Sequence, residues 1–317
     1  MEKIKFNVVE LENLNRYNYD LPNMVINDVA EVISKKTNCL AFMNKPEMGQ
    51  SINLKNSFIL VTKDLGYKTG VDVDDNFILN CENPRLEYAV VLNYVLGKNK
   101  KKYINQADYI TLGENSKIGQ NTIIEPQVFI DNNVVIGNDC YIESGAKIFE
   151  NSVIGNGTRI GANTTIGLNG FGVEIDSDGK SYRIPHLGGV EIGNDVYISS
   201  LCNIHAGTIT PTILEDNIQL DSLVHIGHNC LIKKGTMITA CSEISGSVTI
   251  GERSYIGPNS AVINKIYLGD NSRIGIGAVV TKSVESNTTV AGNPADLTLN
   301  LKKKSIVMKK LLEDYRD

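Results

Sequence analysis

Ile118-Gly119-Gln120-Asn121-Thr122-Ile123-Ile124-Glu125-Pro126-Gln127-Val128-Phe129-Ile130-Asp131-Asn132-Asn133-Val134-Val135-Ile136 decides how the whole chain is read. An aliphatic residue stands at every sixth position: Ile118, Ile124, Ile130 and Ile136. Four residues after each comes a small or β-branched one: Thr122, Val128, Val134 and Cys140. Traced outward, the period begins at Leu112 and runs to Ile166, resumes at Ile192, Ile198 and Ile204, then shifts and continues from Leu214 to Val280. These are ten, three and twelve hexads. A helical period of 3.6 cannot hold six-residue phase over that distance, and plain strand alternation does not call for recurring turn chemistry. A prism-like solenoid satisfies the period. Each hexad becomes a short strand and a corner, and three hexads close one 18-residue coil with the aliphatic residue inward.

Two breaks in phase mark excursions from the coils. Gly167 to Glu191 is a Gly-rich polar loop of a length that is usually functional. The second lies around Thr210-Pro211-Thr212. Past Val280 the period fades into Ala291-Gly292-Asn293-Pro294-Ala295, and a helix is expected to follow with Met308, Leu311, Leu312 and Tyr315 on one stripe. Residues 1–105 lack the period. Asn83-Pro84 reads as an N-cap with proline in the first turn, followed by an apolar face of Leu86, Ala89, Val90 and Tyr94 and a stop at Gly97. Phe58-Ile59-Leu60-Val61 and Asn76-Phe77-Ile78-Leu79 read as buried strands. The expected division is a small α/β domain over 1–105, the solenoid over 106–295 and the helix over 296–317. Lys98, Lys100, Lys101 and Lys102 form a solvated connector between the first two.

The 317 residues carry a net charge of −5, with 42% hydrophobic and 21% charged residues. That balance excludes wholesale disorder and disfavours a protein that coats nucleic acid. No apolar run is long enough to span a bilayer, and the N-terminus lacks a signal-peptide core, so a cytoplasmic location is expected. Cys39, Cys81, Cys140, Cys202, Cys230 and Cys241 show no CxxC spacing and are expected to be reduced structural thiols. The four histidines, His186, His205, His225 and His228, all fall between positions 186 and 228.

Coil arithmetic places residues 18 apart on one wall, about 4.8 Å from each other. His228 then sits above Gly246, and Gly246 above Asn264. Two positions past inward-facing Ile226, His228 occupies a corner and projects outward, beside a column that has no side chain. A neutral imidazole there is a natural general base for an amine or hydroxyl near pH 7. Glu243 stacks on His225 by the same spacing.

The repeat resembles the left-handed parallel β-helix of hexapeptide-repeat acyltransferases. The segments Ile166-Gly167-Leu168-Asn169-Gly170-Phe171-Gly172, Arg183-Ile184-Pro185-His186-Leu187-Gly188-Gly189-Val190, Leu220-Asp221-Ser222-Leu223-Val224-His225-Ile226-Gly227-His228-Asn229 and Ile244-Ser245-Gly246-Ser247 narrow the likeness. They resemble the UDP-3-O-(3-hydroxyacyl)glucosamine N-acyltransferases of lipid A synthesis. The resemblance implies His228 as general base, and Asp221, Gly246, Asn264 and Lys265 along the phosphopantetheine and acyl groove. It also implies a nucleotide-binding role for residues 1–105, with Phe42, Lys45, Asn169, Phe171 and His186 at the sugar and nucleotide, and trimers with active sites between neighbouring solenoids. Three positions depart from that pattern. Lys265 stands where a second active-site histidine is expected, Met48 replaces a uracil-stacking tyrosine, and Lys45 replaces an asparagine that contacts the sugar.

The expected chemistry is N-acyl transfer from a phosphopantetheine thioester, on acyl-CoA or acyl carrier protein, to the amine of a nucleotide-linked amino sugar, with no bound cofactor and no metal. An acetyl-CoA-dependent sugar O- or N-acetyltransferase is the alternative. A carbonic anhydrase-like zinc site on His205, His225 and His228 and a non-catalytic solenoid are weaker readings.

Overall fold

The computed structural model describes residues 4–43, 52–72, 74–98 and 110–314. The chain forms two compact units that divide between residues 102 and 103. The first is built on a five-stranded sheet in which Asp28–Val29, Cys39–Met43, Phe58–Thr62 and Phe77–Cys81 run parallel and Gly70–Val71 closes the edge antiparallel. Phe58, Leu60, Phe77 and Leu79 are buried on one side of it, and Ile59, Val61 and Ile78 join a cluster on the other. Helix α1, Pro84–Lys98, covers the first side, and Asn83 Oδ1 accepts from the Leu86 N–H at its start. The expected helix face is corrected. Val91 and Val95 are buried, with Tyr88, Leu92 and Tyr94 packed beside them, while Leu86 and Ala89 are exposed, because the face centred on Val91 and Val95 meets the sheet. Residues 44–51, including Lys45 and Met48, and the lysines at 100–102 lie outside the described residues.

The second unit is a left-handed parallel β-helix of triangular section, with sheets of ten, nine and eight strands as its faces. Successive hexads visit the three faces in turn, so every third aliphatic residue stacks. Ile130, Ile148, Ile166, Ile204, Ile226, Ile244 and Val262 form one such column. All of these are fully buried, whereas Leu112, on the first of the described coils, is 52% exposed. Burial at about 25 cal/mol per Å² across these columns holds the prism together. The small residues do a second job. Thr122 Oγ1, Thr236 Oγ1, Ser254 Oγ and Ser260 Oγ donate to carbonyls 15 residues later, which satisfies the polar interior coil by coil. Cys140, Cys202 and Cys230 occupy the same slot, and burial pushes the Cys230 thiol up to about 12. Ser152 has no such partner, since Gly167 turns away into the first excursion.

One corner residue per hexad takes a left-handed backbone, and most of these are Asn, Asp or Gly, which tolerate it. Leu201, Leu223 and Cys241 are exceptions stacked on one edge, with φ of 60°, 63° and 60°. Cys241→Asn is therefore expected to stabilise the chain by about 1 kcal/mol. Thermal unfolding should show it as a midpoint about 2–4 °C higher.

Both excursions leave at the same corner. Ile166 is followed after the first by Ile192 on the next face, and Ile204 after the second by Leu214 on that face again. They support each other. Leu187 N–H donates to Thr208 O, and Gly188 N–H to Gly207 O. The next corner residues in this column are Gly227, His228 and Asn229, so the loops overhang His228. Helix α2, Thr298–Asp314, ends the chain. The Met308 and Leu311 part of the expected stripe is not packed, and the side chains of Leu312 and Tyr315 lie outside the described residues. Met308, Ile306, Val307 and Leu311 all stand exposed, and only the start of the helix meets the last strands.

Candidate active site

The coil register delivers the expected column. His225 pairs with Glu243 and Glu243 with Ala261, so three residues further along the chain His228, Gly246 and Asn264 follow each other up the corner. A groove of about 300 Å³ runs along them, lined by Phe171, His205, His225, His228, Glu243, Gly246, Asn264 and Lys265. It crosses four successive coils, a track of about 14 Å.

His228 is oriented by its neighbour. Asn229 Oδ1 accepts from Thr208 Oγ1 at 2.9 Å and from Thr208 N–H at 3.3 Å, which fixes which end of the amide faces the imidazole. His228 Nδ1 lies 2.9 Å from that same oxygen and must donate to it. The lone pair is left on Nε2, on the groove side. A Cβ built on Gly246 would stand 2.7 Å from Nε2 and 2.8 Å from Cε1, so only glycine lets the ring occupy this place. Asn229 was not among the expected site residues. The signal for it was local: an asparagine at the left-handed corner position, adjacent to the histidine.

The other histidines join the cluster. His205 and His225 meet edge to face with ring centroids 4.7 Å apart, and His186 meets His228 at 4.9 Å. Burial, then the neighbouring imidazoles, hold His205 down at about 4, and burial lowers His225 while Glu243 opposes it. Both are neutral acceptors or donors near pH 7. Ser245 Oγ donates to Glu243 Oε1 at 3.0 Å, which keeps this carboxylate on the groove wall. Among the described residues, no three His, Cys, Asp or Glu side chains are arranged to hold a metal ion.

The remaining expected residues scatter. Phe171 is 75% exposed at the groove mouth, with Arg183 over its ring. Lys265 stands at the far end in a left-handed conformation, φ 61°. Asp221 is exposed on another edge and accepts from Ser222 N–H, so within one chain it does not line the groove. Asn169 Oδ1 accepts from His186 N–H, a use internal to the loop. His186 is buried behind His228 rather than open to a sugar. Phe42, in the first unit, packs on Tyr88 at 4.8 Å.

Bacterial transferase hexapeptide (six repeats) patterns match residues 115–150 and 133–167, and the hexapeptide repeat of succinyl-transferase matches 247–282. A UDP-3-O-acylglucosamine N-acyltransferase of Delftia acidovorans is 33% identical over 144 residues, 45% of this chain and 43% of that one. One of Bordetella parapertussis is 40% identical over 102 residues, 32% and 28% of the two chains. Over its hexapeptide repeats the chain is similar to UDP-3-O-acylglucosamine N-acyltransferases. The match spans less than half the length of these curated relatives. Among solved structures, this hexapeptide-repeat chain is similar to UDP-N-acetylglucosamine acyltransferases from Bacteroides fragilis (TM-score 0.56, 25% identity, 63% of this chain and 77% of that one) and Francisella novicida (0.55, 27%, 66% and 77%).

Proposed function

We propose that this chain is an N-acyltransferase that moves an acyl group from a phosphopantetheine thioester to the amine of a nucleotide-linked amino sugar, in lipid A-like or surface-polysaccharide synthesis. The observation that carries this reading is the bare His228 Nε2, held over Gly246 at the side of an extended groove. The amine nitrogen attacks the thioester carbonyl and His228 Nε2 takes its proton. The carbon–sulfur bond then breaks, and the same proton leaves with the thiol. The backbone N–H of Gly246, in the same wall, suits the developing oxyanion. Lys265, at the groove's end, offers a cation for a phosphate of the donor arm. No helix among the described residues is long and apolar enough to cross a membrane.

The exposed apolar residues of α2, together with Phe171, Leu187 and Ile209 on the excursions, support a homotrimer. In that assembly a neighbouring solenoid brings its Asp221 edge to the groove. Turnover tests the reading directly. Acyl-loaded carrier protein and a UDP-linked 2-amino sugar should release free thiol and form an amide, and the N-acetylated sugar should give neither. Thiol release without an amino sugar present would sink it.

Carrier protein is the favoured donor, because α2 bears Lys302, Lys303, Lys304, Lys309 and Lys310 and carrier proteins are acidic. Lys304 pairs with Asp296 at 2.7 Å, so Lys302 and Lys303 are the ones to reverse. Their replacement by Glu is expected to lower kcat/KM for the carrier-bound donor about 10-fold at low salt. Transfer from free acyl-CoA should change little. Equal losses with both donors would leave the helix without a docking role.

A further inference from the structure

The first excursion strands one polar atom beside the proposed base. His186 is only 7% exposed, and its Nδ1 lies 2.9 Å from the Ile184 carbonyl, to which it must donate. The lone pair is then on Nε2, and that atom is buried with no hydrogen-bond partner. The His186 and His228 rings meet edge-on, with planes at 63°. Gly170 marks where they converge: a Cβ there would lie 3.0 Å from His186 Nε2 and 2.8 Å from His228 Cδ2. A Cβ at Gly172 would stand 3.1 Å from His186 Cε1. The loop therefore closes on both rings with backbone alone and excludes water from the gap.

Leaving a buried acceptor unpaired costs about 1–3 kcal/mol. Packing alone does not require that cost, since a phenyl ring fills the same space. Burial and the nearby His228 both hold His186 below the ordinary histidine range, so it is a neutral dipole with its negative end at Nε2.

We infer that His186 is a positioning residue whose unpartnered Nε2, set by the Ile184 carbonyl and sealed by Gly170, favours the cationic His228 ring that forms as the substrate amine loses its proton. The inference rests on His228 being the base. Before proton transfer the His228 ring is neutral and offers this lone pair little. Once Nε2 is protonated, the ring carries a positive charge, which the lone pair of the imidazole packed edge-on against it stabilises in a site dry enough for the interaction to count. An interaction realised only at that stage acts on kcat and leaves binding alone.

His186→Phe keeps the ring and removes the lone pair, and His186→Gln restores an acceptor. With the carrier-bound donor and a UDP-linked amino sugar, Phe is expected to lower kcat about 10-fold with both KM values within about 2-fold of wild type. Gln should recover most of the loss. Nitrogen-15 spectra of the labelled full chain, recorded without substrate, should show the His186 proton on Nδ1 and Nε2 bare. A wild-type kcat for Phe, a loss that Gln does not recover, or a proton on His186 Nε2 would each overturn the inference. The spectrum is independent of turnover, so it can fail while His228 remains the base. Conversely, an active His228→Ala enzyme would remove the base and leave the tautomer standing.

Discussion

His228→Ala is expected to lose about 10²–10⁴ in kcat and to keep its fold. The ring is half-buried at a corner and contributes nothing to the aliphatic columns, whose nearest member, Ile226, points the other way. The imidazole is hydrogen-bonded to Asn229, and Asn229 keeps Thr208 when the imidazole goes. Thermal unfolding should therefore change little while transfer stops. The conservative comparison is Asn229→Ala, which leaves the imidazole but frees its tautomer. It should lie between wild type and His228→Ala. An unchanged kcat in His228→Ala would remove the base from the mechanism.

Gly246→Ala is expected to cost about 10²-fold in kcat, nearly as much as losing the base. The resemblance implies that Gly246 lies along the groove of the donor's arm, where a bulky replacement such as Val would block only the donor. The structure moves the cause one coil along. A single methyl group at Gly246 would stand 2.7 Å from His228 Nε2, closer than any real Cβ contact, so the ring must rotate before donor or acceptor arrives. Gly246→Ala and Gly246→Val should then fail alike, in kcat rather than in donor KM. Since Gly246 is not in a left-handed backbone, the strand accepts either residue without strain. Donor KM rising alone, with kcat intact, would return the gap to the donor's arm and free His228 from the glycine.

The solenoid is legible in the sequence because its order is local and periodic. A six-residue period needs no distant partner to be read, and the 18-residue spacing converts directly into which residues touch, as His225 over Glu243 shows. The same arithmetic places His228 at a corner. The corner code was equally local, an Asn, Asp or Gly at each left-handed position, but it is visible as a rule only once φ values are known. Where the period stops, so does the reading. The face of α1 depends on which row meets the sheet, a choice made by Phe58 and Phe77 across the domain rather than by the helix.

By itself, the sequence determined the prism, its coil length, the points of excursion and the histidine column at one corner, because each is a repeat or a break in one. The tertiary structure alone decided how that corner works. Thr208 on one excursion turns the Asn229 amide, the amide sets the His228 tautomer, and His186 from the other excursion is buried against it. None of these contacts has a fixed sequence spacing. They depend on two loops folding back over the same edge, and on hydrogen bonds whose direction is set only when donor and acceptor meet.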